Sequence, residues 1–204
     1  MSQQYTLNFQ NKSSQTGSLC IFQTVPDANT SNIKTLAWYC QPAVPQQQVR
    51  LDWGIDYSFV WSQQGHLEPG DKFTAVQTLS ANLNQKNQVD FKKQGDSYTF
   101  DNQTQGLHNG SLFIHQGNNV AIDKCVVGIG MSGRPAFIVE SQPGFPLVFT
   151  PTPQYRIVFG SFQQREVLNV NNLNAYNLEF PEGSYKLSVT LNENGSFSIS
   201  NQQL

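Results

Sequence analysis

Tyr185-Lys186-Leu187-Ser188-Val189-Thr190-Leu191, followed by Asn192-Glu193-Asn194-Gly195-Ser196 and Phe197-Ser198-Ile199, is the stretch that decides the fold. Apolar residues fall at every second position, which places Tyr185, Leu187, Val189 and Leu191 on one face of a strand. A partner strand must present Phe197 and Ile199 to the same face, because a slip of one residue turns both to the opposite side. A two-residue Asn194-Gly195 loop would set Leu191 against Ser198. A three-residue Glu193-Asn194-Gly195 loop sets Leu191 against Phe197 and Val189 against Ile199, and it predicts Gly195 in the left-handed region of a G1-bulge turn.

The same period of two recurs along the rest of the chain. No window of eleven or more residues keeps a helical apolar stripe without a Gly, Pro or Asn cluster breaking it. Strands are predicted at 5–9 and 19–22, joined as a hairpin, and at 36–39, 49–53 and 57–61, with Gly54 marking a bend. Residues 27–34 have room for one helical turn, and Glu68-Pro69-Gly70-Asp71 is a turn signature. Further short strands are predicted at 73–76, 89–91, 98–100 and 112–115, and more apolar ones at 125–131, 136–139, 147–149 and 157–159. The fold class is all-β, a two-sheet antiparallel β-sandwich with very little helix, and a partly open β-barrel is the alternative. A length of 204 residues fits one such domain, 1–204.

Only 13% of residues are charged and the net charge is −2, which argues against a nucleic-acid surface. Asn and Gln make up about one residue in five and replace Lys and Glu as the surface polar groups. Such a surface repels itself weakly, so association with neutral polar polymers or with further copies of the chain is less opposed than usual. No apolar run approaches the length of a membrane span, and Met1-Ser2-Gln3-Gln4 opens no export signal. The expectation is a cytoplasmic protein without integral membrane association, leaderless export being the other route. Cys20, Cys40 and Cys125 form no CxxC or zinc-type cluster. They are expected as small buried side chains in a reducing compartment, one disulfide being the alternative.

Chemical motifs are scarce. Gly128-Ile129-Gly130-Met131-Ser132-Gly133 matches the letters of a dinucleotide fingerprint, but Arg134-Pro135-Ala136-Phe137-Ile138-Val139 continues as strand where a helix must open. A tight turn, or a backbone lying against an aromatic ring, is the better reading. Ser132 is no nucleophile elbow, His66, His108 and His115 are widely spaced, and 96–101 lacks a calcium-loop pattern. No cofactor and no metal is implied. Asp52 and Asp56 flank Trp53-Gly54-Ile55, and a carbohydrate hydrolase would need two carboxyl groups about 5–5.5 or 6.5–9.5 Å apart. Trp38, Tyr39, Trp53, Tyr57, Phe59 and Trp61 are dense enough to report either a packed core or a face that stacks on sugars.

Tyr5-Thr6-Leu7, Asn11-Lys12-Ser13, Leu36-Ala37-Trp38-Tyr39, Trp53-Gly54-Ile55-Asp56-Tyr57-Ser58-Phe59-Val60-Trp61 and Val127-Gly128-Ile129-Gly130-Met131-Ser132-Gly133 together resemble the bacterial rhizosphere-induced protein (RhiA-like) family. The resemblance spans nearly the whole chain, its specific parts being the Ile-Asp-Tyr-Ser-Phe-Val-Trp and Gly-Ile-Gly-Met-Ser-Gly blocks. It implies a bacterial protein of about this length, with no assigned enzymatic activity and no catalytic residues to transfer. The expected role is a non-enzymatic interaction protein with a glycan or itself as partner, and Trp53, Asp56, Tyr57 and Trp61 as the ligand-binding set. A carbohydrate hydrolase and a membrane-active sandwich are the alternatives.

Overall fold

The computed structural model describes residues 3–201. In chain order its strands are β1 (Gln4–Asn11), β2 (Gly17–Gln23), β3 (Asp27–Ala28), β4 (Lys34–Thr35), β5 (Tyr39–Ala43) and β6 (Gln48–Gly54). Next come β7 (Tyr57–Ser62), β8 (Gln77–Ala81), β9 (Gln88–Gln94), β10 (Ser97–Thr104), β11 (Leu112–Gln116) and β12 (Val126–Met131). The last six are β13 (Arg134–Glu140), β14 (Pro146–Thr150), β15 (Tyr155–Gly160), β16 (Tyr176–Leu178), β17 (Lys186–Leu191) and β18 (Phe197–Asn201). Among the described residues the only helical element is a 3-10 turn at Val170–Asn172, and no helix is long and apolar enough to cross a membrane.

The described strands form four sheets, ordered β18-β17-β1-β6, β16-β15-β2-β5, β4-β13-β12-β7-β8 and β10-β9-β11-β14-β3, and none closes into a barrel. The expected all-β sandwich class is observed, carried on four sheets. Ring contacts show which layers face each other. Phe9 of the first sheet meets Phe159 of the second at 6.0 Å, and Phe59 of the third meets Phe100 of the fourth at 6.0 Å. One continuous cluster of buried apolar side chains joins all four sheets, from Leu7 and Leu19 to Phe59 and Val89.

The C-terminal hairpin has the register its alternation requires, with Leu191 opposite Phe197, Val189 opposite Ile199, and Gly195 at φ 79°. The Gly195 amide donates to the Asn192 carbonyl at 2.9 Å, which closes the turn. The fingerprint-like block is likewise a tight hairpin, with Ser132 at φ 52° and Gly133 at φ 69°. Gly128 has a further reason, since a Cβ there would overlap the Phe137 carbonyl across the ladder.

Four local expectations are corrected: the strand expected at 36–39 instead runs Tyr39–Ala43, with 36–38 a connection, and three others follow. β1 and β2 do not pair: β1 lies between β6 and β17, and β2 between β5 and β15. Their apolar side chains Leu7, Phe9, Leu19 and Ile21 meet instead within one buried cluster. The buried Asn11 side chain holds the crossing, donating to the Gln15 and Ala43 carbonyls and accepting from the Ser13 amide and hydroxyl. Residues 27–34 hold no helical turn, because Asn29 donates to the Pro146 carbonyl and accepts from the Val148 amide, keeping the segment beside β14. Residues 73–76 are not a strand. Phe73 and Leu67 instead cover the outer face of the third sheet, against Val60 and Ile138.

Candidate functional site

The chain passes between the two pairs of layers four times, through residues 24–26, 36–38, 55–56 and 151–154. Pro26, Pro151 and Pro153 sit in these passages, where a residue without an amide proton ends ladder pairing. The passages are tied together. The Thr24 amide donates to the Gln154 carbonyl at 2.9 Å, the Ser132 amide to the Asp56 carbonyl at 2.8 Å, and the Trp38 indole N–H to the Met131 carbonyl at 2.9 Å.

Around this junction stands an aromatic cluster. Trp53 meets Trp38 at 5.8 Å, Tyr155 at 5.2 Å and Tyr5 at 5.7 Å, and Tyr5 meets Phe180 at 4.9 Å and Tyr185 at 5.5 Å. Trp53 and Tyr155 are buried, whereas Tyr5 and Phe180 are partly exposed and Tyr185 is 40% exposed. The outer end of the cluster opens into a cleft of about 400 Å³ lined by Tyr5, Thr24, Gln154, Tyr155, Asn177, Glu179 and Phe180, together with Pro153 and Leu178. Aromatic rings, amides and one carboxylate thus share one concavity. That is a lining able to stack on an apolar ring face and to hydrogen-bond hydroxyl groups.

The phenols are not ordinary. Burial, and then the neighbouring Tyr5, push the Tyr57 hydroxyl up to about 12. Burial raises Tyr155 further, the Trp53 indole opposing this only in part, and burial with Tyr185 raises Tyr5. All three stay protonated donors at neutral pH. The Trp53 Nε1–H and the Tyr155 hydroxyl do not meet in hydrogen-bond geometry, and neither has another partner.

The residues of the expected ligand set, Trp53, Asp56, Tyr57 and Trp61, differ sharply in exposure. Trp53 and Trp61 are each 1% exposed and Tyr57 8%, and only Asp56 reaches solvent. β7 is covered on both faces, so Trp61 belongs to the second pair of layers, where it meets Phe91 at 5.5 Å and donates to Gln77 at 2.8 Å. Trp53 stands behind the cleft, in ring contact with the lining residues Tyr5 and Tyr155. Asp52 faces outward on β6, where Arg50 holds it in a hydrogen-bonded ion pair at 2.9 Å and Thr6 donates to it at 2.6 Å. The Arg50 hydrogen bond, against some desolvation, keeps its carboxyl below the usual range, the opposite of what a general acid needs. The histidines lie apart: His66 pairs with Glu140, His115 faces Asp90, and His108 rests on Phe113.

Sequence reasoning missed Phe180, Asn177 and Glu179. The one available signal was a lone aromatic in a polar turn, Glu179-Phe180-Pro181-Glu182-Gly183, where no strand face requires it.

The two blocks that carry the family resemblance are neighbours in space. β7 and β12 pair with Tyr57 opposite Met131, Phe59 opposite Ile129 and Trp61 opposite Val127, and their near ends form the junction. A family model for RhiA matches residues 2–202. Protein RhiA of Rhizobium leguminosarum bv. viciae is 30% identical over 200 residues, covering 96% of this chain and 86% of that protein. No solved structure matches the chain significantly. From the paired β7 and β12 blocks outward to nearly its full length, the chain belongs to the RhiA family.

Proposed function

We propose that this protein is a non-enzymatic binding protein that takes a carbohydrate in the junction cleft. The observation that carries the reading is the lining itself: the partly exposed rings of Tyr5 and Phe180 beside Gln154, Asn177 and Glu179 in about 400 Å³. Sugars offer apolar ring faces for stacking and hydroxyl pairs for amides and carboxylates, and this set answers both. Glu179 and the net charge of −2 favour a neutral hydroxylic ligand over a phosphorylated one. Asp52, held ionised by Arg50 and Thr6 on an outward face, speaks for binding rather than hydrolysis.

The test is a thermal-shift and calorimetric screen against a panel of neutral oligosaccharides. Saturation at 100 times Kd stabilises the native state by about 2.7 kcal/mol, a readable shift. A saturable response is expected from at least one member of the panel. Phe180→Ala and Tyr5→Ala should abolish it and Glu179→Gln should weaken it by about tenfold or more, while Trp61→Phe should leave it intact. A flat panel, or a response that survives Phe180→Ala, overturns the reading.

A further inference from the structure

Cys20 lies on β2 and Cys40 on β5, directly opposite each other in an antiparallel ladder. Their Sγ atoms are 2.6 Å apart, closer than two non-bonded sulfurs rest. Directly opposed residues in such a ladder have Cα atoms about 4.5–5.5 Å apart, within the span a disulfide bridges. Bond formation therefore asks the sulfurs to close by about 0.5 Å, with no backbone movement. Cys20 is buried among Phe22, Val158 and Leu168, and Cys40 is partly exposed next to Phe162. Cys125 is a built-in contrast: it lies just before β12, fully buried, with its thiol pushed up to about 11 by burial.

We infer that Cys20 and Cys40 are a thiol pair that a small-molecule disulfide converts into an internal disulfide linking β2 to β5. This does not depend on the carbohydrate reading. The Cys40 thiolate, the accessible one, attacks a sulfur of the incoming disulfide; that S–S bond breaks and one small thiolate leaves. The Cys20 sulfur then attacks Cys40 Sγ, forming the internal bond and expelling the second small thiolate. The two thiol protons pass to the two leaving thiolates, and two electrons pass from the protein to the oxidant. The hydrogen bond between the two thiols and burial hold the Cys20 thiol well above its ordinary range, so Cys20 acts second. The cross-link fixes β5 directly beside Trp38 and Tyr39. Trp38 meets both Trp53 and Tyr155, and the Arg134 guanidinium lies 3.8 Å over the Tyr39 ring, so thiol state would bear on how firmly the junction is held.

The experiment equilibrates the folded full-length protein in reduced and oxidised glutathione mixtures, quenches in acid, and alkylates after denaturation. Three alkylated cysteines are expected at the reducing end and one, Cys125, at the oxidising end, in a monomer lighter by the mass of two hydrogens. Cleavage after Lys12, Lys34 and Arg50 places the two cysteines in peptides 13–34 and 35–50, which should run joined until reduced. Cys40→Ser, at the partly exposed and better tolerated position, should retain both remaining thiols under the same oxidant. Three free thiols in excess oxidised glutathione overturn the inference. So does a lasting glutathione adduct on Cys40, or a covalent dimer in place of the internal bond.

Discussion

The indole of Trp53 and the phenol of Tyr155 meet edge to face across two opposed sheets, ring centroids 5.2 Å apart at 66°, and the N–H of one and the O–H of the other are both buried without a hydrogen-bond partner. Each such orphan costs about 1–3 kcal/mol, a large part of a domain's net stability of roughly 5–15 kcal/mol. The apolar area that the rings bury offsets this cost.

Tyr155→Phe removes one orphan and keeps the ring. The urea midpoint is expected to stay level or rise, with an unchanged slope. Tyr155→Ala should lose about 3–5 kcal/mol through lost burial and an unfilled cavity. A loss of more than about 1 kcal/mol in Tyr155→Phe would show that the hydroxyl is paired after all.

Asn11 serves four hydrogen bonds from a fully buried position. Asn11→Ala leaves the Ala43 carbonyl and the Ser13 amide without their partner, so a loss of about 2–4 kcal/mol is expected in chemical denaturation. Asn192→Ala, near the exposed end of the β17–β18 hairpin, should lose less than about 1 kcal/mol.

Two glycines of one hairpin separate close approach from backbone sign. Gly133 sits at φ 69° with open space around it, so Gly133→Ala should cost about 1–2 kcal/mol. Gly128→Ala forces a methyl group into the Phe137 carbonyl and must pry β12 from β13, which is expected to cost about 3 kcal/mol or more. Equal midpoint shifts in the two variants would contradict this account.

Alkali should unfold the protein in a defined window. An unfolded tyrosine releases its proton near 10, the folded Tyr57 only near 12, and Tyr155 and Tyr5 are shifted the same way. The native state then holds protons the unfolded chain has lost. Stability is complete below about pH 10 and falls by about 1.4 kcal/mol per pH unit for each of the buried Tyr57 and Tyr155 as pH climbs toward 12, the more exposed Tyr5 adding in the same direction. Of the seven tyrosines, a late fraction should titrate together with loss of near-ultraviolet dichroism. Seven phenols ionising as one class in the folded protein would refute it.

What could be read from the sequence follows a physical divide. The period of two, the turn chemistry at Asn194-Gly195 and the all-β class are local properties. A strand's alternation and a turn's left-handed residue are set by neighbours a few positions away, so the β17–β18 register was determined to the residue. The glycines of the Gly128 block were legible as a turn, and the absence of a following helix excluded the nucleotide reading.

Layer assignment was not local. Nothing near Leu7 or Leu19 says that β1 and β2 must face each other rather than pair, because that choice depends on β15 and β17 more than a hundred residues away. Nor can an aromatic's type tell whether a covering loop lies over it: Trp61 and Trp53 are sealed by segments distant in the chain, while Phe180, in an unremarked turn, stands at the cleft. The sequence alone determined strand, turn and register; only the tertiary structure decided which sheets oppose, which rings meet solvent and that Cys20 faces Cys40, because burial and opposition arise from contacts no local pattern records.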